Sequence, residues 1–210
     1  MSVETNPWTA KSAGSSLDRH ETPALNPWIR DRPTRPQLGV PAPDRVDQLP
    51  VREQTRSARL WILGAHGGAG ESTLAALDPD WASSEHAWPQ PAASNTRLRV
   101  VLTARSNMHG LKAAQRAATQ WGSGLVPFAD LAGLVVIADA PGRLPRPLRD
   151  FAGIVAGGVP RTWHLPWQDS WRLGETPDPE AAHRDVRALI SDLTAITSGA
   201  SDTTNRKGPA

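Results

Sequence analysis

Three glycines and two hydroxyls crowd together in the stretch LWILGAHGGAGESTLAAL at residues 60–77: Gly67, Gly68 and Gly70, then Ser72 and Thr73. Glycines at this density let backbone N–H groups converge on one point, and a helix starting there adds the positive end of its dipole. The chemistry on offer is capture of a phosphate group. Such a loop ordinarily reads G-x-x-x-x-G-K-[ST], its lysine bridging the terminal phosphates and its hydroxyl touching magnesium. Residues 65–72 keep Gly70 and Ser72 of that pattern, but Ala65 replaces the first glycine and Glu71 the lysine, with His66 and Ala69 between.

The lysine's replacement carries a large electrostatic consequence if the side chain faces the phosphates. Two unit charges about 4 Å apart interact by roughly 4 kcal/mol at an effective dielectric near 20, so turning attraction into repulsion swings binding by about 8 kcal/mol. Micromolar affinity is itself worth only about 8 kcal/mol. ATP or GTP with magnesium, the ligands such a loop would take, are therefore expected to bind poorly and hydrolyse slowly in the usual pose. Arg105, after the second apolar run, and Arg143, after the third, are the cations available for repair. Two further readings stay open: Glu71 turned away to cap its helix or pair with an arginine, and a tight strand-to-helix turn with no ligand.

The elements that must position these residues follow from hydrophobic patterning. Apolar runs at residues 60–63, 98–104 and 131–138 predict strands, and the uninterrupted run LAGLVVIA suits a strand covered on both faces. Helices are expected at 72–77, ended by Asp78-Pro79, at 107–121 from the spacing Leu111, Ala114, Ala118, Trp121, through Phe151 to Ala156, and at 178–196. VPRTWHLPW reads as a weaker fourth strand. Strands alternating with helices imply a three-layer α/β sandwich with a mainly parallel sheet. The chain has 210 residues, 39% of them hydrophobic, enough for one core, which is placed at residues 58–197. Residues 1–57, rich in proline and mixed charge, and 198–210 are expected to be disordered tails. The first tail repeats Asn-Pro-Trp, offering Trp8 and Trp28 as anchors for a protein partner.

Composition narrows the function classes. The absence of cysteine excludes thiol catalysis, disulfides and cysteine-ligated zinc, and the six histidines lack metal-ligand spacing. A net charge of +2 with interleaved signs leaves no strong nucleic-acid footprint. No run approaches the roughly 18 apolar residues of a membrane span, and no signal sequence opens the chain, so a cytoplasmic protein without membrane insertion is expected. Trp163, Trp167 and Trp171, flanked by Arg161 and Arg172, can pin a loop to the core, hold a partner peptide or stack the bases of a weakly bound single strand. Arg143, Arg146 and Arg149 form a spaced basic edge.

The loop resembles that of the ParA/MinD family of P-loop ATPases, usually K-G-G-x-G-K-[ST]-[ST], with Gly67, Gly68, Gly70, Ser72 and Thr73 in place and the family's two lysines falling on His66 and Glu71. The resemblance implies a P-loop fold, truncated here because only about 25 residues separate the loop helix from the second strand. VVIAD followed by APG is similar either to the metal-holding Walker B strand, with Asp139 as the acid, or to the family's distal half, with Asp139 near the base. The second alignment leaves no Walker B acid, and Ser72 as the sole contact for magnesium. Since that family uses its first lysine across a dimer, a homodimer is a further expectation. Residues 60–175 also resemble an actinobacterial family of ParA-like proteins, some encoded near conjugation and secretion ATPases of mobile elements. The implied function is a non-hydrolysing accessory or adaptor of DNA-transfer, partition or secretion machinery, with residual nucleotide binding. The alternatives are an NTPase rescued by arginine and metal, and a weak single-stranded nucleic-acid module.

Overall fold

A computed structural model describes residues 32–92 and 96–198. Among these residues lie seven strands, β1 (Val51–Gln54), β2 (Leu60–Gly64), β3 (Trp81–Ser83), β4 (Trp88–Pro91), β5 (Leu98–Arg105), β6 (Ala129–Ile137) and β7 (Thr162–Leu165), and five α-helices. The helices are α1 (Glu71–Ala75), α2 (Met108–Gly122), α3 (Arg146–Ala156), α4 (Asp169–Arg172) and α5 (Arg184–Ser198). Five strands form one sheet in the order β3-β2-β5-β6-β7, every pair parallel. The α/β class and parallel sheet expected from the apolar runs are present.

Strand periodicity divides the core. Leu60 and Ile62 of β2 and Val101 of β5 face one side, where they pack with Leu74 of α1 and Val186, Leu189 and Leu193 of α5. Trp61, Leu63, Val100 and Leu102 face the other, against Leu111, Ala114 and Trp121 of α2 and Val155 of α3. Both faces are covered, so the middles of these strands carry no solvent-facing polar position. Every residue of β2 is buried.

Two segments depart from the sequence reading. The polar stretch after α1 contains β3 and β4, which bury Trp81, Ala82 and Trp88. The ordered part also begins before residue 58. β1 pairs in parallel with β4, from Val51 opposite Trp88 to Gln54 opposite Pro91. Just before it the buried Gln120 of α2 closes a double hydrogen bond on Leu49, accepting from its N–H and donating to its carbonyl, both at 2.9 Å. The same Gln120 oxygen accepts from Trp88 Nε1 at 3.0 Å. Proline-rich composition concealed this docking because its hydrogen bonds come from α2 and β4, far along the chain.

Candidate functional site

The glycine-rich loop at residues 65–70 is a short bridge from β2 into α1. Ala65 N–H donates to Thr103 O at 2.9 Å, which carries the β2–β5 pairing into the loop, and the buried Thr103 hydroxyl donates to Ala69 O at 2.9 Å. Gly68 and Gly70 adopt left-handed φ values of 76° and 87°, a region that favours glycine. At Gly70 a Cβ would also lie 2.6 Å from Ile137 Cδ1. The amides of Gly67, Gly68, Gly70, Glu71, Ser72 and Thr73 have no acceptor among the described residues. The helix that follows has only five residues, with glycine as its N-cap and no capping side chain.

Glu71 is engaged by the turn that follows β3. Its Oε1 accepts from Ser83 Oγ at 2.8 Å and Ser84 Oγ at 3.4 Å, and His86 N–H lies 3.4 and 3.2 Å from its two oxygens. The carboxylate rests over Gly64, where a Cβ would stand 2.8 Å from Oε2. Glu85 and His86, with φ of 55° and 62°, are consecutive non-glycine residues in the left-handed region. Such residues cost on the order of 1 kcal/mol or more each. The turn thereby aims His86 N–H at Glu71, while the His86 ring bonds Gly64 O through Nδ1 at 2.6 Å. Turned away from the loop, Glu71 is expected from sequence to cap its own helix or pair with an arginine. Its partners, however, are two serines and an amide, neither its own helix end nor an arginine.

Because β2 has β3 on one side and β5 on the other, the chain leaves the sheet in opposite directions at the β2/β5 boundary. Crevices at such reversals, beyond the carboxyl ends of the strands, are where open α/β sheets bind ligands. Here a crevice of about 230 Å³ opens among His66, Gly67, Gly68, Arg105, Asn107, His109, Asp139, Trp167, Gln168 and Arg172. Arg105 fastens its wall, donating from Nε to Gly68 O at 3.1 Å and from Nη1 to Ala138 O at 3.2 Å. Burial lowers the Arg105 pKa, Asp139 opposes that effect, and Arg172 adds to it. A guanidinium starts so far above neutrality that it stays charged.

His66 is bonded at both ring nitrogens. Nε2 accepts from Arg105 N–H at 3.0 Å, which leaves the proton on Nδ1, 2.8 Å from Gly67 O. This requires the neutral ring. Burial lowers the His66 pKa; the Gly67 carbonyl pulls it upward, while His109, His86 and Arg105 press it down. His109 stands edge-on at 5.4 Å between ring centres. The start of α2 comes so close that a Cβ on Gly110 would fall 2.3 Å from Arg105 O and 2.8 Å from His66 Nε2.

Of the residues singled out from sequence, His66, Gly67, Gly68 and Asp139 meet in this crevice, as does Arg105. Ala69, Gly70, Glu71, Ser72 and Thr73 do not line it. Arg143 is exposed and lies outside the lining, which Arg105 shares with Arg172. Trp8 and Trp28 lie outside the described residues. Asn107, His109 and Gln168 escaped sequence reading; their signal is their place just beyond the ends of β5 and β7. Asn107 also caps α2, its side chain accepting from Gly110 N–H at 2.8 Å. Among the described residues no group of three histidine or acidic side chains is arranged to hold a metal, and no helix is long and apolar enough to cross a membrane.

Residues 58–190, more than half of the chain, match the model of a family described as "Family of unknown function (DUF6668)", and the chain belongs to that family. No curated protein and no solved structure matches it.

Proposed function

We propose that this member of the DUF6668 family is a non-hydrolysing, ParA/MinD-like P-loop protein acting as an accessory or adaptor of DNA-transfer, partition or secretion machinery. The observation that carries the reading is the direction of Glu71. At the position where the resembling loops hold a lysine, this chain has a carboxylate occupied with Ser83, Ser84 and the His86 amide. The loop therefore supplies backbone donors but no cation to draw out charge from a leaving phosphate. Arg105 is fastened by two of its donors to the carbonyls of Gly68 and Ala138 and keeps the rest for an anion, so an NTPase rescued by this arginine is the reading against which the turnover test is set.

Residual binding of a phosphate-bearing ligand, ATP or GTP included, is supported by the six amides without acceptors and by Arg105 and Arg172 beside Trp167. The accessory role rests on the resemblance, and the repeated Asn-Pro-Trp at Trp8 and Trp28 is the element we assign to partner capture. The test is phosphate release by the pure full-length chain with magnesium and ATP or GTP. Release at the buffer rate is expected. Steady turnover that disappears in Ser72→Ala would overturn the reading.

A further inference from the structure

At the end of the sheet opposite the crevice, a groove of about 430 Å³ runs along the entries to β2, β5 and β6. Its charged lining consists of Arg56, Arg59, Arg97, Arg99 and a single carboxylate, Asp130. We propose that this groove binds the phosphate groups of a phosphorylated ligand, at a site separate from the glycine-rich loop.

Three of the arginines are fixed by contacts that leave most of their donors unused. Arg56 donates to Ser83 O at 2.8 Å and lies over the Trp61 ring at 5.3 Å. Arg59 reaches Asp80 at 3.4 Å. Arg99 bonds Asp130 at 2.8 Å and the carbonyl of Ile196 at 3.2 Å. Each guanidinium has five N–H groups in a rigid fork matched to phosphate oxygens, so anchoring one edge orients the other without consuming it. Arg97 is exposed and has no ion pair among the described residues. Hydroxyls at Thr55, Ser57 and Thr96 add neutral donors along the same lining.

The lining also lacks any aromatic side chain. A site for bases would stack them on rings. Recognition here is by charge and directed hydrogen bonds, which selects phosphate over a nucleobase. The phosphate can come from a small phosphorylated molecule or from the phosphodiester chain of an oligonucleotide, and the experiment separates the two.

Full-length protein is titrated with inorganic pyrophosphate by calorimetry and with a labelled oligothymidine by fluorescence anisotropy. Wild type is compared with Arg97→Glu and with Arg105→Ala, whose side chain belongs to the opposite end of the sheet. Arg97 makes no folding contact described here, so its reversal leaves the fold intact; circular dichroism checks this. Arg56→Ala is the second groove variant. The proposal expects at least one probe to bind, to weaken about tenfold or more in Arg97→Glu, and to be indifferent to Arg105→Ala. The tighter probe names the source of the phosphate. No binding of either probe, binding unchanged in both groove variants, or binding lost in Arg105→Ala instead overturns it. Binding lost in Arg105→Ala assigns the phosphate to the crevice instead, and the non-hydrolysing reading of the loop is decided separately, by turnover.

Discussion

Two strand-loop-helix units flank the β2/β5 boundary, and they are held together by different means. The second is self-sufficient: β5 ends, Asn107 caps the next helix with its own side chain, and fifteen residues of α2 bury Leu111, Ala114, Ala117, Ala118 and Trp121. The first, which carries the recognisable glycine loop, has an uncapped helix of five residues that buries only Leu74. Helices that short are unstable alone. The first unit is kept in shape from outside, by Thr103 on Ala69 O, by Arg105 on Gly68 O and His66, and by Glu71 gripping the turn at residues 83–86. A motif that looks autonomous in sequence thus depends on distant residues more than its neighbour does.

The comparison breaks most severely at the seam between the units. Gly110→Ala would drive a methyl group into Arg105 O and His66 Nε2, and backbone cannot yield there as a flexible side chain would. A loss of about 3 kcal/mol or more is expected in urea denaturation, with His66 and Arg105 amides exchanging faster than those of α5. Next in size is the Glu71 fastening. Glu71→Ala should cost about 2 kcal/mol, since the Ser83 hydroxyl and His86 amide lose a charged acceptor, and Glu71→Gln should lose less. Glu71→Lys should be at least as damaging as alanine.

Smaller substitutions sharpen the contrast between internal and external support. Asn107→Ala removes a cap worth about 1 kcal/mol, and the loss should fray only the first turn of α2. Thr103→Val removes one buried hydrogen bond, also about 1 kcal/mol, yet should loosen the loop at residues 65–70 on a different strand's connection. Hydrogen exchange distinguishes the two patterns. The smallest effect is a pH dependence. The folded state lowers the His66 pKa, so the unfolded chain takes up a proton more readily. The stability His66 contributes is therefore complete above its ordinary value of 6.5 and lost as pH falls through the lowered folded value. His66→Gln should flatten this part of the urea-midpoint profile between about pH 8 and about pH 5.

Much of the frame was legible because burial leaves a periodic trace. The runs at 60–63 and 98–104 lie in β2 and β5, the run at 131–138 overlaps β6 up to Ile137, and the spacing from Leu111 to Trp121 gives α2. β3 and β4 left no such trace, being three and four residues long and interrupted by prolines and serines. β1 was hidden for a different reason: Val51, Arg52 and Glu53 are exposed, so no apolar alternation marks the strand. At the site, the glycine spacing announced a loop but not the direction of Glu71. That direction is set by Ser83, Ser84 and the left-handed pair Glu85 and His86, none of which carries meaning until β3 is placed beside β2.

The account turns on Glu71 being a fastener of the fold and not a defective ligand, and the affinity of Glu71→Lys for Mg·ATP tests this directly. The titration is made by calorimetry on wild type and variant at a temperature where both remain folded. A fastener predicts that the lysine brings no gain in affinity, accompanied by reduced stability. Affinity rising about tenfold or more, with phosphate release to match, would mean that residue 71 faces the bound nucleotide after all, and the account would be wrong.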